Sequence, residues 1–231
     1  MKTSSSMFNV TPCLISNSPL KFVPYDITTL AKMADPEYYE LVMAVRSFMP
    51  PDVCLGGGTW RRLIEGQPYT GADFDFYFPN QKSLDKFDLR GYTKKFTTSN
   101  ADSYLTNMNG RQIIIQCIRK FFTNNDLPGL ITRYDLRCCM LIAQNGNNFL
   151  IAEKHAMDDI AKRELRLNFG RIRDGYNTAK RLMKFSQDGY NIDNKQLYAF
   201  IDGIQNHSIS THGAYPSDEF SNVNDFIDRI I

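Results

Sequence analysis

The sequence predicts an α+β fold, a mixed sheet backed by helices and followed by a small helical domain. Three observations predict it. Short apolar or alternating runs, bounded by Gly, Pro and Asn, recur between Val53 and Ala152, which is the pattern of strands. From Ala156 onward the apolar residues recur at helical spacing instead. A length of 231 residues, 42% hydrophobic and 23% charged, lies near the ordinary soluble range and suits one globular core with an appended part.

Taken in order, the first stretch, 1–24, is rich in Ser and Thr, has no sustained period and is expected to be an extended arm. Asp35 before Pro36 predicts an N-cap with proline at the first helical position. Tyr39, Leu41, Val42, Val45 and Phe48 then carry the helix to the stop at Pro50 and Pro51. Val53 to Leu55 predicts a short strand, cut by Gly56, Gly57 and Gly58, and Trp60 to Ile64 a helical turn closing at Gly66. Asp73 to Phe78 alternates carboxylates with aromatics, as a strand with two unlike faces does. Further strands are expected over Tyr92–Thr98, Arg111–Ile118, Tyr134–Ala143 and Phe149–Ala152, the last two joined as a hairpin by Asn145-Gly146-Asn147. Beyond them helical spacing links Ile160, Leu165 and Leu167, then Tyr176, Leu182, Met183 and Phe185, then Leu197, Phe200, Ile201 and Ile204, and finally Phe220, Val223, Phe226, Ile227 and Ile230. The expected division is therefore an arm (1–24), a head (25–153) and a helical C-terminal domain (154–231).

Lys and Arg number 27 and Asp and Glu 25, a net charge of +2, so only the distribution of charge is informative. Residues 151–184 hold nine Lys/Arg against five acids, and 185–231 two against seven; the basic surface is local to the segment after the sheet. Cys13, Cys54, Cys117, Cys138 and Cys139 form no Cys-x2-Cys spacing, which argues against zinc and points to a reducing, cytoplasmic setting. Cys138 and Cys139 are expected to alternate across a strand. His155, His207 and His212 are too dispersed to form a site. No apolar run approaches the roughly 20 residues of a membrane span, so no membrane partner is expected.

Chemistry concentrates between Leu55 and Phe78. Residues i and i+2 of a strand share a face, so Asp73 and Asp75 present two carboxylates side by side while Phe74 and Phe76 turn to the core. Their mutual repulsion raises at least one pKa unless a cation neutralises both, and a hard divalent ion with oxygen ligands does so. Upstream, three glycines entering a helix allow backbone N–H groups to approach a phosphate. Neither element is specific alone, since an Asp-x-Asp is common and a glycine-rich turn is often only a turn; no Gly-Lys-Ser/Thr follows, so this is not a P-loop.

Together they resemble the head domain of template-independent nucleotidyltransferases of the polymerase-β type, in particular the tRNA CCA-adding enzyme and poly(A) polymerase family and its large-virus relatives. The family's Gly-Gly, two residues, Arg, closing Gly and Asp-x-Asp are matched by Gly57-Gly58-Thr59-Trp60-Arg61-Arg62, Gly66 and Asp73-Phe74-Asp75. A second element, Arg-Arg-Asp-Phe-Thr, is matched by Arg133-Tyr134-Asp135-Leu136-Arg137. A third is matched by Arg181-Leu182-Met183-Lys184-Phe185 with Gly189-Tyr190. The resemblance covers about residues 52 to 190. The Glu-Asp-x-x-Arg stretch with which CCA-adding members select CTP and ATP is not recognisable, and no long tRNA-holding body is expected.

The resemblance implies an Mg²⁺-dependent (or Mn²⁺-dependent) nucleotidyltransferase that moves a nucleoside monophosphate from an NTP to an acceptor hydroxyl and releases pyrophosphate. It implies Asp73, Asp75 and Asp135 as metal-holding catalytic acids, and Gly57, Gly58, Thr59, Arg61, Arg181 and Lys184 as the nucleotide-binding set. The acceptor it favours is an RNA 3′ end, with a protein or a small molecule as alternatives; a toxin-like or protein-modifying transferase and a degenerate nucleotide-binding module are the competing readings. Trp60 is expected in the core rather than as a stacking platform.

Overall fold

The computed structural model describes residues 20–206 and Ile209, apart from positions 72, 88–91, 99, 125 and 173. The described chain forms two compact units, one spanning Leu20–Lys162 and the other starting at Arg163. Most of the expected arm, the expected helix over 220–230, Cys13, His207 and His212 lie outside the described residues.

The first unit is built on an eight-stranded sheet. Its strands are β1 (Phe22–Asp26), β2 (Cys54–Gly56), β3 (Asp73–Tyr77), β4 (Thr93–Thr97), β5 (Ala101–Met108), β6 (Arg111–Ile118), β7 (Leu141–Gln144) and β8 (Phe149–Glu153), in the spatial order β1-β8-β7-β2-β3-β6-β5-β4. β3 and β6 are parallel and the other neighbours antiparallel, so the sheet is mixed, as the sequence predicts. Its helices are α1 (Ile27–Leu30), α2 (Pro36–Phe48), α3 (Gly58–Ile64), α4 (Gln81–Lys86), α5 (Leu127–Ile131) and α6 (Ala156–Lys162).

Local chemistry explains these elements. The Asp35 carboxylate accepts the Tyr38 N–H and Pro36 stands in the first turn of α2, the cap that the sequence announces. Tyr38, Leu41, Val42 and Val45 are its buried residues, whereas Phe48 stays exposed. Arg46 is buried among them and donates to the carbonyls of Gln144 (3.0 Å) and Asn147 (2.9 Å), tying α2 to the β7–β8 turn. Pro24 lies in β1 at the sheet's edge, where a missing N–H costs least.

Two expectations over the sheet are corrected. β5 was not expected as a strand, yet Asn109-Gly110 after it is a strong hairpin signal, and both residues adopt positive φ, 51° and 73°. The strand expected over Tyr134–Ala143 begins only at Leu141, after a 3-10 turn at Arg137–Cys139. In that turn Arg137 donates two 2.6 Å hydrogen bonds to Asp159 of α6, an anchor that holds the segment off the sheet. Cys138 and Cys139 are consequently both buried instead of alternating.

The second unit carries α7 (Gly175–Gln187), α8 (Asn194–Gln205) and the short parallel pair β9 (Glu164–Leu165) and β10 (Asn191–Ile192). The helix expected through Leu165 and Leu167 is corrected: Leu165 lies in β9, and Leu167 gives its N–H to the Gln196 side chain at 2.8 Å instead of to a helical carbonyl. Asp174 and Asp193 cap the two helices, and the expected Leu182, Phe185, Leu197, Phe200, Ile201 and Ile204 are buried. Gly189, at φ 83°, ends α7 and returns Tyr190 against Phe185. No described helix is long and apolar enough to cross a membrane.

Candidate active site

β3 places the two acids. Phe74 and Phe76 are fully buried on one face, so Asp73 and Asp75 stand on the other, Asp73 exposed and Asp75 half-buried. Burial, with the charge of Asp73 adding to it, pushes the Asp75 carboxyl from an ordinary 3.8 up to about 7. Two carboxyl groups side by side on one face of β3, whose charges oppose each other until a cation neutralises them, form a donor set suited to a hard divalent cation. Across the strand pair β3–β6 the Gln116 amide donates to Asp73 Oδ2 at 2.8 Å.

The glycine turn lies beside this pair, because Gly56 of β2 is in register with Asp75. Each glycine serves differently. A β-carbon on Gly56 would stand 2.5 Å from the Tyr134 hydroxyl oxygen and 2.9 Å from the Tyr77 ring. Gly57 has φ 68° and its β-carbon would meet the Tyr134 ring at 3.2 Å. Gly58 has nothing within 4 Å of that position. The Gly57 N–H is already given to the Leu141 carbonyl at 2.8 Å, so what the turn can offer a phosphate begins at Gly58. Tyr134, which the sequence reading did not single out, packs on this turn and bonds the Tyr77 hydroxyl at 3.0 Å. Burial first, then Tyr77 and the Asp75 charge, push its phenol well above 10.

Several expected nucleotide contacts stand elsewhere. Thr59 is buried, and its hydroxyl faces the Asp73 carbonyl at 3.5 Å rather than open solvent. Arg61 is 2% exposed and donates to both Glu65 carboxylate oxygens at 2.8 and 2.9 Å. The i,i+4 spacing on α3 turns both side chains inward together, so Arg61 is part of the interior. Arg61→Ala is expected to lower stability by about 3 kcal/mol, because it strips a buried carboxylate of its cation; urea unfolding measures it. Arg62, half-buried, is the cation whose charge reaches the site's flank: Tyr69, pushed up to about 12 by burial and then by Asp73, is pulled back by Arg62. Consecutive arginines on a helix point about 100° apart, so only one of the pair could turn inward, and Glu65, one turn on from Arg61, marks which. Trp60 is fully buried and donates to the Leu55 carbonyl at 2.8 Å.

Asp135 is buried ahead of the Arg137–Cys139 turn and does not lie on β7. The β7 residue in register with Gly56 is Ile142. Among the described residues no group of three or more His, Cys, Asp or Glu is arranged to hold a metal ion, so the expected three-acid cluster is not gathered here and the carboxylate pair stands without Asp135. Arg181 and Lys184 are exposed on α7 of the second unit.

Solved structures share this fold. The Thermotoga maritima CCA-adding enzyme complexed with tRNA is 16% identical with a TM-score of 0.56, covering 80% of this chain and 46% of that one. A CCA-adding enzyme complexed with ATP is 17% identical at TM-score 0.58, covering 80% and 47%. The Bacillus stearothermophilus CCA-adding enzyme in complex with CTP is 14% identical at TM-score 0.50, covering 75% and 45%. The chain thus spans less than half the length of these structures, and the likeness is one of fold: a nucleotidyltransferase fold, as the motifs imply. None of the curated proteins matches the chain in sequence. The model of the Gabija anti-defense 2 (Gad2) family matches residues 31–163, the stretch that carries the glycine turn, both site carboxylates and β6. Since that match takes in more than half of the chain, the protein belongs to the Gabija anti-defense 2 family.

Proposed function

We propose that this protein is a template-independent nucleotidyltransferase. The observation that carries the reading is the Asp73–Asp75 pair set against the glycine turn, with Asp75 held near pH 7 by burial and by its neighbour. In the reaction the acceptor oxygen bonds to the α-phosphorus of an NTP, the bond from that phosphorus to the β-phosphate bridge breaks, pyrophosphate leaves and the hydroxyl proton passes to water. A divalent ion, Mg²⁺ or Mn²⁺, held by Asp73 and Asp75 supplies the positive charge that the triphosphate requires. Gly58 admits the phosphates to the backbone, Arg62 adds charge at the flank, and Arg181 and Lys184 serve the triphosphate or the acceptor. The buried thiols of Cys54, Cys117 and Cys138 support work in a reducing cytoplasm.

The acceptor we favour is an RNA 3′ end, for which the basic residues between Lys162 and Lys184 supply phosphate contacts. A second reading is favoured by the family's description as Gabija anti-defense: the label goes to a component of a Gabija defence system. Incubation with each α-labelled NTP, Mg²⁺ and either total RNA or purified Gabija components decides between them by which fraction becomes labelled. Asp73→Ala is expected to reduce labelling at least 10³-fold while the melting curve is kept, since an exposed acid contributes little to stability. Wild-type rates in Asp73→Ala would sink the enzymatic reading.

A further inference from the structure

The strand order gives the face that carries the carboxylates two different flanks. Gly56 of β2 pairs with Asp75 on one side, and β6, β5 and β4 follow in turn on the other. Directly paired residues share a face. Asp73 is thus in one row with Ile114, Leu105 and Thr93, and Asp75 in the next row with Gln116, Ser103 and Phe96. Phe96 is 43% exposed, and Ile114 and Leu105 are half-buried. The three make an apolar strip that starts beside the acid pair and crosses three strands. β5 and β6 set no charged residue on this face. Their charged residues, Asp102 and Arg111, alternate to the opposite face, where Arg111 pairs with Glu37 of α2.

The chemistry of transfer relates this strip to the acids. In-line displacement sets the attacking and the leaving oxygen on opposite sides of the α-phosphorus. With the glycine turn that admits the phosphates on the β2 side of the acids, pyrophosphate leaves over β2 and the acceptor hydroxyl arrives over β6. The strip lies along that approach. Phosphates find no cation on this face of β5 and β6, whereas flat, uncharged nucleobases find an exposed ring and two aliphatic side chains, and stacking on aromatic rings is how proteins hold single-stranded nucleic acid. We propose that the strip is the acceptor subsite and takes the last two bases of a single-stranded RNA 3′ end, the terminal base on Ile114 and Leu105 and the penultimate base stacked on Phe96. Neighbouring strands lie about 4.8 Å apart, so Phe96, three strands from Asp75, stands about 14 Å from it, beyond the reach of one nucleoside and within that of two.

This inference rests on the nucleotidyltransferase reading, and the test separates the two. Binding of a fluorescent single-stranded oligoribonucleotide to the full chain is read by anisotropy, and transfer to the same oligonucleotide from an α-labelled NTP with Mg²⁺ is read beside it. Phe96→Ala is expected to weaken binding and to lower kcat/KM for the oligonucleotide about 10-fold, the loss of one stacked base. NTP affinity and melting temperature are expected to be kept, because Phe96 is exposed on an edge strand. The loss should be equal at low and high salt, since no phosphate contact is removed. An oligonucleotide with an abasic penultimate nucleotide is expected to lose the same factor against wild type and nothing further against Phe96→Ala, a coupling that no merely structural role produces. If Phe96→Ala melts early, Phe96→Leu, which keeps an apolar side chain without the stacking face, asks the same question. Additive losses, or wild-type binding and transfer in the Phe96 variants, overturn the subsite and leave the nucleotidyltransferase standing. Label on a Gabija component and none on RNA overturns the RNA occupant. Absence of transfer to every acceptor, with the oligonucleotide still bound through Phe96, overturns the reaction and keeps the RNA-binding strip.

Discussion

At pH 8 and without added metal, Asp75→Asn is expected to melt at a higher temperature than the wild-type protein, and with Mg²⁺ and NTP supplied it is expected to transfer no nucleotide. The stability gain follows from the site's own electrostatics. Asp75 titrates near 7 in the folded protein and near 3.8 otherwise, through burial first and the Asp73 charge second. Between those two values the folded state holds a proton that the unfolded state has released, so the stability contributed by the protonated acid is complete below about pH 4 and lost as pH rises through 7. At pH 8 the charged pair remains as a cost of about 2 kcal/mol, with about 4 kcal/mol as the ceiling that the shift allows. Asparagine removes that cost and turns a repelled oxygen into a donor for Asp73. Urea titrations at pH 4.5 and pH 8 should show a wild-type decline with pH that the variant lacks. Millimolar Mg²⁺ should raise the wild-type melting temperature at pH 8, more so with NTP, and leave the variant unmoved. A variant no more stable than wild type at pH 8 would show that neither burial nor the Asp73 charge makes an ionised Asp75 costly in the folded protein.

Three alanine variants along the glycine turn should separate folding from binding. Gly56→Ala drives its methyl into the Tyr134 hydroxyl and the Tyr77 ring, both set in the cluster that includes Leu130, Ile131, Met140 and Ile142; overpacking of this kind costs about 3 kcal/mol. Gly57→Ala forces a side chain into positive φ and costs about 1–2 kcal/mol. Gly58→Ala meets nothing, so its melting temperature should match wild type within about a degree or two. Its NTP affinity should nevertheless fall at least 10-fold if Gly58 admits the phosphates as proposed, because the added methyl then crowds them. Equilibrium dialysis with a labelled NTP beside thermal melting reads both quantities. Full NTP affinity in Gly58→Ala would remove the glycine turn from the nucleotide site.

Short-range chemistry is legible in the sequence. The Asp35-Pro36 cap, the closing Gly66, the alternation through Phe74 and Phe76 and the Asn145-Gly146-Asn147 hairpin each rest on interactions within a few residues. What the sequence did not disclose depends on distant partners. Arg61 is the exception, since Glu65 one turn on is a local signal that Arg61, and not Arg62, enters the interior. Arg137 pulls its segment off the sheet through Asp159, which removes Asp135 from the strand that the motif comparison expects. Gln116 reaches Asp73 through a register between β3 and β6 that no local signal announces. Asn109-Gly110 was there to be read, and β5 follows from it.

The strand order has a consequence for how the protein is made. β1, at one edge of the sheet, pairs with β8, so the earliest strand of the described chain must wait for the latest strand of the same sheet. During synthesis the segment from Phe22 to Asp26 therefore leaves the ribosome with its hydrogen-bonding groups unmatched and finds its place only after Glu153 has emerged. Pairings that span so much sequence make folding slow relative to local hairpins, and an open strand is a template for unwanted association until it closes. Yield of soluble protein should accordingly respond to chaperone supply and growth temperature more steeply than the native state's own stability would suggest.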